Sequence, residues 1–348
     1  MGAKAALPKE GVTSVASSVA LCLVLTLALV ACGAPAVTQK DDAGAGASAG
    51  ASAGASADES LACETQANES TPGDVPQASP SAPSQGDVEL AARLTTDIQS
   101  VIDSAGMDMG VSVIDLSTGT TASCNGSRAF ASASMIKLLV AETFLGECEQ
   151  GVYSLDDTYT LRAQDIVGGT GSLQGWGAGA TITYRELVQK MISESDNTAA
   201  NVLIDAAGMD AINTEAVRLG LTATQLNRKM MDTEAQAVGR ENYTSADDVA
   251  LLLRMVWKGT FVSNEASALV LEAMENQFDT AGILEGLPTG VVFAHKTGSL
   301  TTVRHDGGIV EGERPFVVVV LCGGSGFYEY GALAAMASVG GTVYADLT

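Results

Sequence analysis

Phe316-Val-Val-Val-Val-Leu321 is apolar at every position. A strand with one wet face alternates apolar and polar side chains, so an unbroken run predicts a central strand covered on both faces. Working outward, Gly290-Val-Val-Phe-Ala-His-Lys296 and residues 303–310 read as neighbouring strands. Far upstream, Gly110-Val-Ser-Val-Ile-Asp-Leu116 and Thr120-Thr-Ala-Ser-Cys124 read as a strand pair around the turn Ser117-Thr-Gly119. Helical spacing fills the middle: the segment after Ser134, residues 184–192, 198–207 and 264–276, and a helix through Trp257 that the capping box Thr244-Ser-Ala-Asp247 opens. Residues 88–105, apolar at Leu90, Leu94, Ile98 and Ile102, and residues 328–344 add a helix at each end. Strands at both ends with helices between them predict an α+β fold, an α/β sandwich. One antiparallel sheet is assembled from both chain ends (88–130 and 260–348) and carries an inserted all-α subdomain (131–259).

The segment before residue 88 reads differently. Lys4 and Lys9 precede an apolar run over residues 15–30, and Leu29-Val30-Ala31-Cys32-Gly33 follows. This is similar to the lipobox of bacterial lipoproteins, which implies removal of a signal peptide (1–31) and lipidation of Cys32. The rival readings are an ordinary secretory signal and an uncleaved anchor. Residues 32–87 are rich in Ala, Gly, Ser and Pro and poor in large apolar side chains, too little to offset the entropy of ordering. They read as a disordered tether with an r.m.s. reach of about 40 Å. The expected location is extracytoplasmic, on the bacterial cell membrane.

The chain of 348 residues is 46% hydrophobic and carries a net charge of -23, which argues against nucleic acid and against a polybasic membrane contact. Six cysteines are present: Cys22 in the signal, Cys32, Cys63 in the tether, and Cys124, Cys148 and Cys322 in the folded part. Outside the cytoplasm a Cys124–Cys148 bridge is a reasonable expectation, while Cys322 reads as a small buried hydrophobe. His295 and His305 are the only histidines, and no Cys/His spacing suits a metal. The glycines of Gly168-Gly-Thr-Gly171 and Gly175-Trp-Gly-Ala-Gly179 mark loops and match no phosphate-binding fingerprint. No cofactor is expected.

The chemistry is placed in Phe130-Ala-Ser-Ala-Ser-Met-Ile-Lys137, where Ser134 and Lys137 stand one helical turn apart. A serine hydroxyl needs a base, and a lysine serves if burial or nearby positive charge lowers its pKa. Ser-x-x-Lys alone is expected roughly once by chance in a chain this long. Two further motifs follow in order, Ser195-Asp196-Asn197 and Lys296-Thr297-Gly298. Attack on an amide carbonyl assigns them roles. Ser134 is the nucleophile, Lys137 the base, and Ser195 relays a proton to the leaving nitrogen. Asn197 holds Lys137 and a substrate amide. Lys296 supplies positive charge and, with Thr297, receives a substrate carboxylate. Arg304 is a further candidate for that carboxylate or else a member of an ion pair. His295 and His305 are expected to be structural, and Asp196 to brace its loop.

The three motifs together resemble the class A β-lactamases and their penicillin-recognising relatives, over nearly all of residues 88–348. The resemblance implies a serine β-lactamase-like fold and a serine hydrolase acylated on Ser134 by a β-lactam or related amide. It places the oxyanion hole at the backbone N–H groups of Ser134 and Ser299. One departure stands out. Class A enzymes carry Glu-x-x-Leu-Asn on a loop, whereas Leu221-Thr-Ala-Thr-Gln-Leu-Asn227 has Ala223 at the glutamate's place. Glu234 and Glu241 follow nearby. Without that base, deacylation is expected to be slower by about 10²–10⁴-fold. The alternatives are a D-Ala-D-Ala peptidase-like cell-wall enzyme and a non-catalytic β-lactam-binding lipoprotein. The expected partner is a β-lactam or cell-wall peptide, and the expected state a monomer. A first prediction concerns the anchor: Cys32→Ala moves the protein from the membrane to the soluble fraction, and unchanged fractionation rejects lipidation at that cysteine.

Overall fold

The computed structural model describes residues 84–348. The signal segment, Cys22, Cys32, Cys63 and the tether up to residue 83 lie outside the described residues. The elements run in the order α1 (Gln85–Ala105), β1 (Asp108–Asp115), β2 (Thr121–Cys124), β3 (Phe130–Ala131), α2 (Lys137–Glu149), β4 (Thr158–Thr160), β5 (Thr181–Thr183) and α3 (Tyr184–Ser193). There follow α4 (Asn197–Ala207), α5 (Met209–Leu219), α6 (Thr233–Ala237), β6 (Tyr243–Thr244), α7 (Ala246–Trp257) and α8 (Asn264–Glu275). The chain closes with β7 (Phe293–Leu300), β8 (Val303–Val310), β9 (Phe316–Gly323) and α9 (Glu329–Leu347).

The main sheet has the order β2-β1-β9-β8-β7 and is antiparallel throughout. β9, which carries the Phe316–Leu321 run, lies at its centre between the N-terminal strand β1 and the C-terminal hairpin β7–β8. Its two faces serve two cores. Val317, Val319 and Leu321 pack into one with α2, α4 and α7, and Phe316, Val318, Val320 and Cys322 pack into the other with α1 and α9. The period-2 alternation of a strand therefore leaves no position for a polar side chain. Residues 184–192 of α3 and 137–149 of α2 belong to the first core, so the helical insert packs on the inner face of the sheet.

Three local differences from the sequence reading have simple causes. α1 begins at Gln85, before the first apolar residue of its stripe, because Ser84 caps it. The Ser84 hydroxyl accepts from Asp87 N–H, and the Asp87 carboxylate accepts from Ser84 N–H at 3.0 Å. α7 is capped by Ser245, whose hydroxyl accepts from Asp248 N–H, while Thr244 pairs in β6; the cap stands one residue later than the Thr244–Asp247 pattern indicates. α8, beyond the expected boundary at residue 259, shares the inner core with α3 and α7. The expected Cys124–Cys148 bridge is absent, and Cys124, Cys148 and Cys322 are all free thiols. Cys124 points into the outer core and its thiol donates to Thr95 O, whereas Cys148 packs against the inner core, so the sheet separates them.

Within α2 one carboxyl is buried among apolar side chains. Burial first, then Glu215, pushes the Glu142 carboxyl up to about 8 against the opposing pull of the Arg218 guanidinium, whose Nη2 lies 3.5 Å away. The folded state thus binds a proton that the unfolded chain releases near pH 4.5, and stability falls as pH rises from there to about 8. Glu142→Gln keeps a donor toward Glu215 without the proton. It is expected to gain up to about 4 kcal/mol at pH 8.5 relative to pH 5. Equal effects in thermal melts at both pH values reject the account.

Candidate active site

The site lies where the sheet's edge strand β7 meets the start of α2. Ser134 sits in a short 3-10 turn, Ala133–Ile136, and Lys137 is the first residue of α2. The expected single helix through both is thus a tight turn leading into a helix. Ala133 holds φ +46°, a left-handed conformation uncommon for a residue with a Cβ, and this turns Ser134 toward the cleft. β7 presses close behind. A Cβ at Gly298 would stand 3.2 Å from both Ser134 N and the Ala133 methyl, which is why the position after Lys296-Thr297 has no side chain.

Lys137 is completely buried. Its Nζ donates to Ser195 O at 2.6 Å, Ser195 Oγ at 3.1 Å and Asn197 Oδ1 at 2.9 Å. These bonds engage all three protons of an ammonium, and none goes to Ser134. Lys296 is also fully buried, and its Nζ donates to the same Ser195 Oγ at 3.0 Å and to Thr297 O at 2.8 Å. One hydroxyl therefore stands between two buried amines. Burial first, then the Lys296 charge, lowers the Lys137 pKa far below that of a free lysine, with Asp196 opposing. Burial likewise lowers Lys296 to about 7 against the pull of Asp279 and Asp306.

The Ser195–Asn197 turn needs its own support, because Ser195 holds φ +52°. Asp196, fully buried, accepts from Ala199 N–H at 2.8 Å as the cap of α4 and from Leu173 N–H at 2.8 Å. Thr170 Oγ1 donates to Ser195 O at 2.6 Å, and Asn197 Nδ2 donates to Gly168 O at 3.1 Å. The loop 168–171 is thus a brace for the motif, a part that sequence reasoning took as plain punctuation. The signal was present in its glycines: Gly171 has φ +101°, and a Cβ there would lie 2.1 Å from the Asp196 carboxylate.

A cleft of about 530 Å³ is lined by Ser134, Ser195, Asn197, Thr297 and Ser299, so five of the eight expected site residues open onto it, with Lys137 and Lys296 just behind its wall. Arg304 does not line it. The guanidinium is buried beneath Asp279, with Nη2 2.8 Å from Asp279 Oδ2, and it donates to Ala281 O at 3.1 Å. Of its two sequence readings the structure presents the ion pair. His295 meets Asp306 at 2.8 Å and His305 meets Ala131 O at 2.8 Å, both in the interior, and burial lowers His305 to about 4. Ala223 gives its N–H to Asp248 at 2.8 Å and does not line the cleft; the same loop reaches the cleft through Arg228, Met230 and Met231. Arg228 pairs with Glu241 at 2.7 Å. Sequence reasoning missed Asp279, Arg228 and Glu194 as wall residues, since none belongs to a short motif. Among the described residues no cluster suits a metal ion.

The profile of the Beta-lactamase enzyme family matches residues 93–347. The chain belongs to that family. A β-lactamase of Bacteroides uniformis is 31% identical over 191 residues, 51% of this chain and 64% of the relative, so less than two thirds of that relative's length is matched. Among solved structures, the β-lactamase from Sphaerobacter thermophilus DSM 20745 superposes with a TM-score of 0.65 at 29% identity, covering 71% of this chain and 95% of the other. A PBP-A mutant, solved as an acyl-enzyme complex with penicillin-G, gives 0.66 at 25% identity, over 74% of this chain and 96% of the other. These likenesses bear out the α+β serine β-lactamase-like fold. In this family member the electrostatic link between the two lysines is open to measurement. In Lys296→Met the Lys137 side chain, followed by ¹³Cε NMR, is expected to titrate at higher pH than in wild type. An unchanged or lowered midpoint contradicts the coupling.

Proposed function

We propose that the protein is an extracytoplasmic, lipid-anchored serine hydrolase that is acylated on Ser134 by a β-lactam or similar amide and releases the acyl group slowly. The observation that carries the reading is the Lys137–Ser195–Lys296 chain of hydrogen bonds beside Ser134. A neutral Lys137 takes the Ser134 proton as Oγ attacks the carbonyl. The Ser195 hydroxyl, bonded to both amines, hands a proton to the leaving nitrogen. The N–H groups of Ser134 and Ser299 receive the developing oxyanion. Thr297 and Ser299 line the cleft where the rest of the substrate lies.

Slow release is supported by the state of the carboxylates. Glu194 and Asp279 line the cleft, and each is engaged: Glu194 with Lys190 at 2.7 Å and Ser172 N–H at 2.8 Å, Asp279 with Arg304. Burial pushes each of the two carboxyls up, but these partners more than offset it and leave both below the ordinary range. A carboxylate so held is a weak base for activating water. The same feature favours, as a second reading, a cell-wall peptidase or a β-lactam sensor in which the acyl-enzyme persists. With a chromogenic cephalosporin and intact-mass detection, an adduct on Ser134 is expected to form and to decay about 10²–10⁴-fold more slowly than efficient general-base catalysis allows. Rapid steady turnover rejects slow release, and the absence of any Ser134 adduct rejects the assignment altogether.

A further inference from the structure

Asp279 stands between α8 and β7, on the cleft wall beside Thr297 and Ser299. Its carboxylate receives what a guest carboxylate would otherwise take at this end of the cleft. Arg304 Nη2 lies 2.9 Å from Oδ1 and 2.8 Å from Oδ2. The Thr297 hydroxyl adds a weaker stabilising contact to the same group. The arrangement is anchored from its own loop, since Ala281 N–H donates to Asp279 Oδ1 at 3.4 Å and Asp279 N–H donates to Gln277 Oε1 at 3.3 Å. The Arg304 side chain is 7% exposed and Asp279 40% exposed, so the anion, not the cation, faces an incoming molecule. The other cation here, Lys296, already directs Nζ at Ser195 and at its neighbour's carbonyl.

We infer that Asp279 is a specificity-determining residue whose own carboxylate fills the anion-binding end of the cleft, so that the site favours acyl donors with an uncharged or cationic group at that end. The inference rests on acylation at Ser134. Like charges at close range in a partly screened cleft repel by enough to change a rate constant about tenfold. Removing the negative charge while keeping the shape both ends the repulsion and frees Arg304 for the guest.

The test compares acylation of Ser134 by penicillin-G and by its uncharged methyl ester, each normalised to its alkaline hydrolysis rate and followed by intact mass. The wild-type protein is expected to react with the ester at least as fast as with the acid. Asp279→Asn is expected to raise the rate with penicillin-G about tenfold and to leave the ester within about twofold, and Asp279→Glu to keep the wild-type ratio. A wild type that prefers the acid by tenfold or more overturns the inference. So does an Asp279→Asn protein that slows equally with both probes, the mark of a merely structural role. If Asp279→Asn does not fold, the wild-type ratio alone decides. Failure of both probes to label Ser134 overturns the acylation reading itself, a result distinct from labelling without discrimination.

Discussion

Two lysines with no exposed surface, Lys137 and Lys296, meet at one serine hydroxyl, and much of the molecule is arranged to make that tolerable. An isolated ammonium in a protein interior is costly unless it is paired or loses its proton. Here neither amine has a carboxylate as a direct partner. Lys137 is held by a carbonyl, a hydroxyl and an amide, and Lys296 by a hydroxyl and a carbonyl. Neutral acceptors satisfy the geometry without cancelling the charge, so both amines stay poised to give up a proton. That is the condition a lysine base requires. The carboxylates that temper the effect, Asp196, Asp279 and Asp306, act without touching either Nζ.

Holding such a cluster places demands on the backbone. Three of the residues with left-handed φ and a Cβ, Ala133, Ser195 and Met231, line the cleft. Each conformation costs on the order of 1–3 kcal/mol and persists only where the surroundings over-determine it. The surroundings are visible. Ala133 is trapped between β7 and the start of α2, and Ser195 between Thr170 and the Asp196 cap of α4. The sheet supplies the rigid side of each trap. β7 is registered on β8 along its whole length, Phe293 opposite Val310 to Leu300 opposite Val303, and β8 on the central β9. An apolar strand with no polar side chain thereby fixes the position of a polar site at the sheet's edge.

How much of this the sequence discloses depends on range. The Phe316–Leu321 run and the 3.6-residue spacing of α1 are properties of contiguous residues, so the central strand, the helices and the sheet drawn from both ends are legible directly. The three short motifs that the structure gathers around one cleft are visible for the same reason, since each lies within four residues. What escapes is made of side chains far apart in sequence. Asp279 with Arg304, Arg228 with Glu241, and Thr170 on Ser195 leave no local pattern. The Cys124–Cys148 expectation failed on the same ground, because proximity to the ends of one helix and one strand says nothing about which side of the sheet each thiol faces.

The loop 221–232 is held in one conformation by the residues packed around it. Its backbone is gripped by side chains from two helices and from the segment before β6. Asp248 of α7 accepts from Thr222 N–H, Ala223 N–H and the Thr224 hydroxyl, Asn242 bonds Asn227 N–H and both backbone groups of Arg228, and Asn201 of α4 bonds both backbone groups of Met230. So many buried bonds to main chain define one path. That path turns Ala223 toward α7 and delivers Arg228 to the cleft, where the nearby carboxylate, Glu241, is bound to the guanidinium. A longer side chain at residue 223 would start from a backbone whose N–H is tied to Asp248 and which does not line the cleft. The loop's contribution to the cleft wall is therefore a paired cation, Arg228, and two methionines, Met230 and Met231, set in place by main-chain bonds and not by the local sequence pattern around Ala223.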